Sequence, residues 1–314
     1  MRRISVGVAG TAVILLCLVA GCGTQQKPAA APRSLPAIPP PRPGTALPLD
    51  EYLPSPDEQA RSDRAQAALE RTCLIQFGLR WEGPDESELD FGQRSIASER
   101  AARFGVVDED QAAQRGYQAP PWSTHDPEVR AALTEHHHDT PSELNEVLYG
   151  LASQYGGKRV PTGGCRAEAA ARLMTGAPRA DRNLPIQLEQ QAAAASTRDP
   201  RLAAAVAAWA SCMELAGHRY ASPRTAANDP RWTGTGTPTE AERAVALADV
   251  RCQNKTGYLP TLIDVTAEHQ RELISRHATE LGRLKRSEDT RARNVAEALS
   301  AEPMDPSPGG RPAG

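Results

Sequence analysis

Cysteine and histidine are the residues whose placement most constrains the chemistry open to this chain. Six cysteines are present: Cys17, Cys22, Cys73, Cys165, Cys212 and Cys252. Apart from Cys17 and Cys22 they are widely separated, so the closely spaced ligand pairs of a structural zinc site are missing. The Cys-x-x-Cys of a thiol oxidoreductase is missing as well. Three consecutive histidines, His136-His137-His138, sit between Glu135 and Asp139, with His125 upstream. Imidazole and carboxylate together suit zinc or nickel. Successive helical residues point about 100° apart, however, so three in a row cannot converge on one ion. With no His-Glu-x-x-His pair either, the run reads as a solvated polar loop, and neither a metal nor a cofactor is expected.

Hydrolytic and nucleotide chemistry fare no better. Acid clusters such as Asp85/Glu86/Glu88 and Asp108/Glu109/Asp110 could flank a glycosidic bond. Without a concave scaffold they read as helix caps and solvated faces. No Gly-x-Ser-x-Gly elbow occurs. The glycine-rich segment from Gly150 to Lys158 carries Arg159 where a P-loop needs Ser or Thr, and no apolar strand precedes it. No catalytic residue is therefore expected. Trp122 and Trp232, in predicted loops, are the candidate contacts to a ligand or partner, because such rings stack on sugars or anchor interfaces. The competing reading is that they pin their loops to the core.

The amino terminus says where this chemistry would take place. Arg2 and Arg3 precede an apolar stretch over residues 4–18, and Val19-Ala20-Gly21 leads into Cys22. A charged start, an apolar middle and small residues before a cleavage point make an export signal. The stretch is shorter than the about 20 residues of a bilayer span and is interrupted by Ser5, Gly7, Gly10 and Thr11. Its last four residues resemble a bacterial lipobox. That resemblance implies removal of residues 1–21, acylation of Cys22 on sulfur, and a mature protein held by lipid on the extracytoplasmic face of the cell membrane. The formal net charge of −3 gives no electrostatic case for nucleic acid.

Export also sorts the cysteines. Cys17 leaves with the signal and Cys22 carries lipid. The four that remain form two disulfides in an oxidising compartment. Spacing alone leaves all three pairings open.

The elements that must position these residues are helical. The mixture of Ala, Leu, Arg, Glu and Gln favours helix, β-branched runs are scarce, and only three Phe, four Trp and six Tyr serve the chain. Such a thin core gains from covalent staples. Residues 22–56, with ten prolines from Gly23 to Pro56, read as an extended spacer reaching up to roughly 100 Å. Helix should start at Ser55-Pro56-Asp57-Glu58 and end at Gly78, with a comparable helix over residues 201–216. Residues 83–164 read as a polar stretch punctuated by glycine and proline. A long terminal helix over residues 261–299 would bear one apolar stripe of Ile274, His277, Leu281 and Leu284; it closes a helical domain over residues 57–300, and residues 301–314 read as a disordered tail.

Cys73 and Cys212 begin the same pattern, Cys-x4-Gly-x-Arg-aromatic, ending at Trp81 and Tyr220. This suggests a diverged duplication, with half-repeats at residues 57–178 and 190–285 and pairs Cys73–Cys165 and Cys212–Cys252. Phe104-Gly105-Val106 through Arg115-Gly116-Tyr117, Val160-Pro161-Thr162-Gly163-Gly164-Cys165, Trp209-Ala210-Ser211-Cys212-Met213 and Ala248-Asp249-Val250-Arg251-Cys252 together resemble an uncharacterised family. Its members are secreted proteins and lipoproteins of streptomycete-type actinobacteria. The resemblance covers roughly residues 60–300, implies a cell-envelope location and adds weight to the two pairings. It carries no activity. The expectation is an all-α, disulfide-stapled domain of two related halves, acting as a non-catalytic module for an unknown protein or envelope partner. The alternatives are a small-molecule or glycan-binding module and, behind it, an envelope hydrolase.

Overall fold

Ser55 opens the first helix, α1 (Pro56–Gln76), by the route its sequence predicts. Its hydroxyl accepts from the Glu58 N–H at 3.2 Å and the Glu58 carboxylate accepts from the Ser55 N–H at 2.7 Å. This reciprocal pair satisfies two amide donors that the helix leaves unpaired. The computed structural model describes residues 36–38, 45–81, 83, 86–135, 141–232 and 237–301. Among them about two thirds of the residues are helical and strand is almost absent. After α1 come α2 (Glu86–Ala102), α3 (Glu109–Arg115), α4 (Pro127–Glu135) and α5 (Ser142–Leu148). A two-stranded antiparallel hairpin follows, β1 (Gln154–Tyr155) and β2 (Lys158–Arg159). Then come α6 (Gly164–Leu173), α7 (Leu184–Ser196), α8 (Pro200–Leu215), α9 (Pro223–Ala227), α10 (Glu240–Thr256), α11 (Tyr258–Arg276) and α12 (Ala278–Ser300).

Three features depart from the sequence reading. The end of the proline-rich segment is part of the folded body rather than a spacer. Pro48–Tyr52 forms a 3-10 turn, and Leu49 is fully buried among Leu188, Leu273, Leu281 and Leu284. The Leu49 N–H donates to Gln270 Oε1 at 2.9 Å, and Asp50 pairs with Arg103 at 2.8 Å. Leu47, Leu49 and Tyr52 are apolar enough to repay docking even with prolines around them.

Residues 83–164, read as a polar stretch punctuated by glycine and proline, contain four helices and the hairpin. Three of the four helices, α3 to α5, have nine residues or fewer, too short to show a strong period in sequence or to persist alone in water. The glycines here do structural work. Gly150 and Gly164 bring two backbones so close that a Cβ on Gly150 would lie 2.4 Å from the Gly164 nitrogen.

The terminal helix is two helices. At His277 (φ −109°, ψ 23°) the chain turns between α11 and α12. Unbroken, a helix of this length would run about 65 Å, past any core this chain can build. The turn instead lets α11 lie against α7 and α8 while α12 packs along α1 and α6. The stripe residues Leu281 and Leu284 are buried in the core beside Leu273, and Ile274 is half-buried. That stripe is therefore core.

The proposed half-repeats do not form two separate lobes. α3, from the first, packs on α10 of the second, and α12 returns to α1. The interior is a set of small clusters, two of them built around the disulfides, instead of one large centre.

Candidate functional site

The two staples are near-copies in their local build. Cys73 on α1 is bonded to Cys165 on α6, with Cα atoms 5.6 Å apart; Cys212 on α8 is bonded to Cys252 on α10, at 5.7 Å. Just past each first cysteine the helix ends in the same way. The Gly78 N–H donates to the Ile75 carbonyl and the Leu79 N–H to Leu74; Gly217 N–H donates to Glu214 and His218 N–H to Met213. Both are Schellman closures, which require a left-handed residue, and Gly78 and Gly217 have φ of 75° and 87°. Trp81 and Tyr220 then pack back over their own cysteine clusters.

The surroundings of the staples differ. Around Cys73–Cys165 the buried apolar neighbours are Leu74, Leu144, Val147, Leu148 and Val160, with the Glu168 carboxylate 3.6 Å from Cys73 Sγ and Glu70 buried one turn away on α1. Around Cys212–Cys252, two acids are sunk into the body. Asp249 is 2% exposed and accepts from the Trp209 indole at 2.8 Å, Gln253 Nε2 at 2.9 Å and the Tyr117 hydroxyl at 3.0 Å. Glu242, fully buried, accepts from the Tyr117 N–H and Gln118 Nε2, each at 3.0 Å, and closes the cap with Thr239 at the start of α10. Burial pushes the Asp249 carboxyl up to about 6, outweighing its three donors. It raises the Tyr117 hydroxyl too, with the negative charge of Asp249 adding to the effect. Gly116 makes this contact accessible: it has φ of 58°, and a Cβ there would meet Glu242 Cγ at 2.7 Å. These acids resemble a catalytic pair only in type. Their acceptor positions are taken by fixed protein donors, and they tie the residue 116–118 turn to α8 and α10.

Trp232 belongs to the same assembly and is not an available ligand contact. Its ring is 2% exposed and stacked on Tyr117 at 5.7 Å, with Tyr220 at 6.3 Å. Its indole N–H donates to the Ala226 carbonyl at 3.1 Å, and the Arg231 guanidinium lies over the ring at 4.8 Å. A ring with an apolar body and one satisfied donor is stable in a core. Trp122, in the loop before α4, is half-buried. His277 is half-buried at the α11–α12 break. Cys22 and the His136-His137-His138 run lie outside the described residues.

Two surface features went unread in the sequence. One is the outer face of α8. Leu202, Ala205, Trp209 and Met213 turn inward, leaving Ala203, Ala204, Ala207, Ala208 and Ser211 exposed with no charge between Arg201 and Glu214. Leu215 ends the face at 87% exposure. The other is a cleft of about 270 Å³ between α7 and α11, with Gln191, Arg198, His269 and Arg276 around Ala194, Ala195 and Leu273. Its signal was faint in sequence because its donors come from segments about 75 residues apart.

No family model, no curated protein and no solved structure matches this chain.

Proposed function

We propose that this protein is a membrane-anchored lipoprotein of the cell envelope, held by lipid on Cys22 and serving as a non-catalytic interaction module. Its membrane contact is the lipid, and its partner is an envelope protein that lays an uncharged helix against α8. The outer face of α8 carries this reading. In a chain with 24% charged residues, a solvent-facing run of Ala203, Ala204, Ala207, Ala208 and Ser211 ending in exposed Leu215 is suited to close helix packing. Small side chains from Ala203 to Ser211 let a second backbone approach without stripping a charge of water, and Glu214, paired with Arg219, stands at the Leu215 end.

The use of the buried acids supports the same reading. Asp249 and Glu242 are engaged by side chains and amides of the fold itself, which favours a binding role over a hydrolytic one. A photo-crosslinking residue placed at Ala207 or Ala208 in the lipidated protein in cells tests the proposal. It should capture one protein in a defined adduct, whereas the same residue at exposed Arg283 on α12 should not. Equal labelling at both sites, or none at α8 while the purified protein binds envelope glycans, would move the assignment to the glycan-binding alternative, with half-buried Trp122 as its candidate ring.

A further inference from the structure

The cleft between α7 and α11 holds an arrangement that the α8 face does not use. Arg198 follows the end of α7, and His269 and Arg276 stand on α11; together with Gln191 they are its polar lining, and no acid lines it. Ala194, Ala195 and Leu273 supply an apolar wall. His269 Nε2 is buried and makes no hydrogen bond. The nearest acid, Asp199, lies 3.5 Å from it. That carboxylate is already engaged by Arg201, through its N–H at 2.8 Å and its guanidinium at 3.0 and 2.8 Å. Arg201 also engages Glu268 at 2.7 Å. Arg276 meets only Glu272, at 3.5 Å between two well-exposed side chains, an interaction that water and salt screen heavily. His269 Nε2 thus faces Asp199 rather than the cleft, and the cationic groups that line it are Arg198 and the weakly paired Arg276.

We infer that this cleft is a binding site for a phosphate group, carried on a small solute or on a lipid head group. Two guanidinium groups can present several N–H donors to the oxygens of one phosphate. The Gln191 amide adds an N–H donor from α7, and the His269 ring on α11 forms part of the wall. The volume accommodates a phosphate and a short apolar arm against Ala194 and Leu273, and little more. The site lies on α7 and α11 and is independent of the α8 contact face, so either can fail without the other.

The test uses the mature lipidated protein in non-ionic detergent, titrated with inorganic phosphate while the His269 ring is followed by NMR. The ring signal is assigned as the one absent from His269→Asn. A saturable shift is expected. The exposed pair Arg198→Ala with Arg276→Ala should weaken binding about tenfold or more, since charged hydrogen bonds contribute most here. A control losing the same charge elsewhere, Arg219→Ala with Arg224→Ala, should bind as the parent does. Glycerol 3-phosphate and phosphatidylglycerol nanodiscs, run in parallel, separate the two sources: a shift with the former identifies a soluble ester, and with the latter a head group. No saturable shift, or an equal loss in the control pair, overturns the inference.

Discussion

The two disulfide regions set the same local device in two kinds of interior. Both place a cysteine near the end of a helix, close the helix with a left-handed glycine, and fold an aromatic back over the bond. The Cys73–Cys165 region packs Leu and Val against the bond and keeps its one buried acid, Glu70, to a single side-chain donor, Gln66. The Cys212–Cys252 region instead gathers Asp249, Glu242, Tyr117, Trp209, Gln118 and Gln253 into one buried network. The first arrangement is non-directional and tolerates changes of similar volume. The second depends on each donor meeting its acceptor, because a buried polar group left alone costs about 1–3 kcal/mol. The device was reusable because it is local. The fillings could diverge because each answers to whatever packs against it.

Breaking the covalent part should have the largest effect. Opening Cys73–Cys165 by paired Cys→Ala substitution frees a loop of 92 residues, and opening Cys212–Cys252 frees one of 40. The loop-entropy relation assigns losses of about 4.6 and about 3.9 kcal/mol. Urea denaturation of the two double variants reads these values. If the second pair proves the costlier, strain or the polar network outweighs loop length, and the comparison must be redrawn around the network.

The next test separates the interiors by pH. The Asp249 carboxyl titrates at about 6 when folded, above its ordinary value of 3.8. Folding therefore takes up a proton between these values, and the contribution of Asp249 to stability falls as pH rises from about 4 to about 6. The full cost, about 3 kcal/mol, is present above that window. Asp249→Asn keeps an oxygen for Trp209 and Gln253 and offers Tyr117 an N–H in place of an acceptor. It should be more stable than the parent at pH 7, with a gain of up to about 3 kcal/mol that disappears near pH 4. Thermal melts at the two pH values measure it. A variant that is weaker at both would show that the three donors stabilise the anion more than burial penalises it.

The smallest effect tests the likeness itself. Neither Gly78 nor Gly217 has another atom near where a Cβ would stand, so an alanine meets only the left-handed backbone. Gly78→Ala and Gly217→Ala should each cost about 1–2 kcal/mol, and by nearly the same amount. Unequal losses in chemical denaturation would mean that the two closures share a hydrogen-bond pattern without sharing an energetic role.

Some of this was readable in the chain and some was not, for reasons that particular residues make plain. Ser55 and Glu58, Gly78 and Gly217 act within one helical turn, so their roles were visible in order along the sequence. The cysteine pairs emerged from a repeated local pattern and not from spacing. Leu49 could not be read as core, because its partners Leu188, Leu273 and Leu281 lie far along the chain. Trp232 could be read only as a loop ring with two outcomes open. Its burial depends on Tyr117 arriving from a segment more than a hundred residues earlier. The cleft was invisible for the same reason, and so was the break at His277, which no glycine or proline announces.

By itself the sequence determined the helical class, the ends of its best-capped helices and the two staples, since each depends on propensity, capping or a short repeated pattern. Only the tertiary structure decided that α3 crosses to α10 and α12 returns to α1, that Asp249 and Glu242 are buried acceptors, and that the outer face of α8 and the α7–α11 cleft stay open. Those outcomes depend on which distant surfaces exclude water together, and burial is a property of the assembled body rather than of any stretch of its chain.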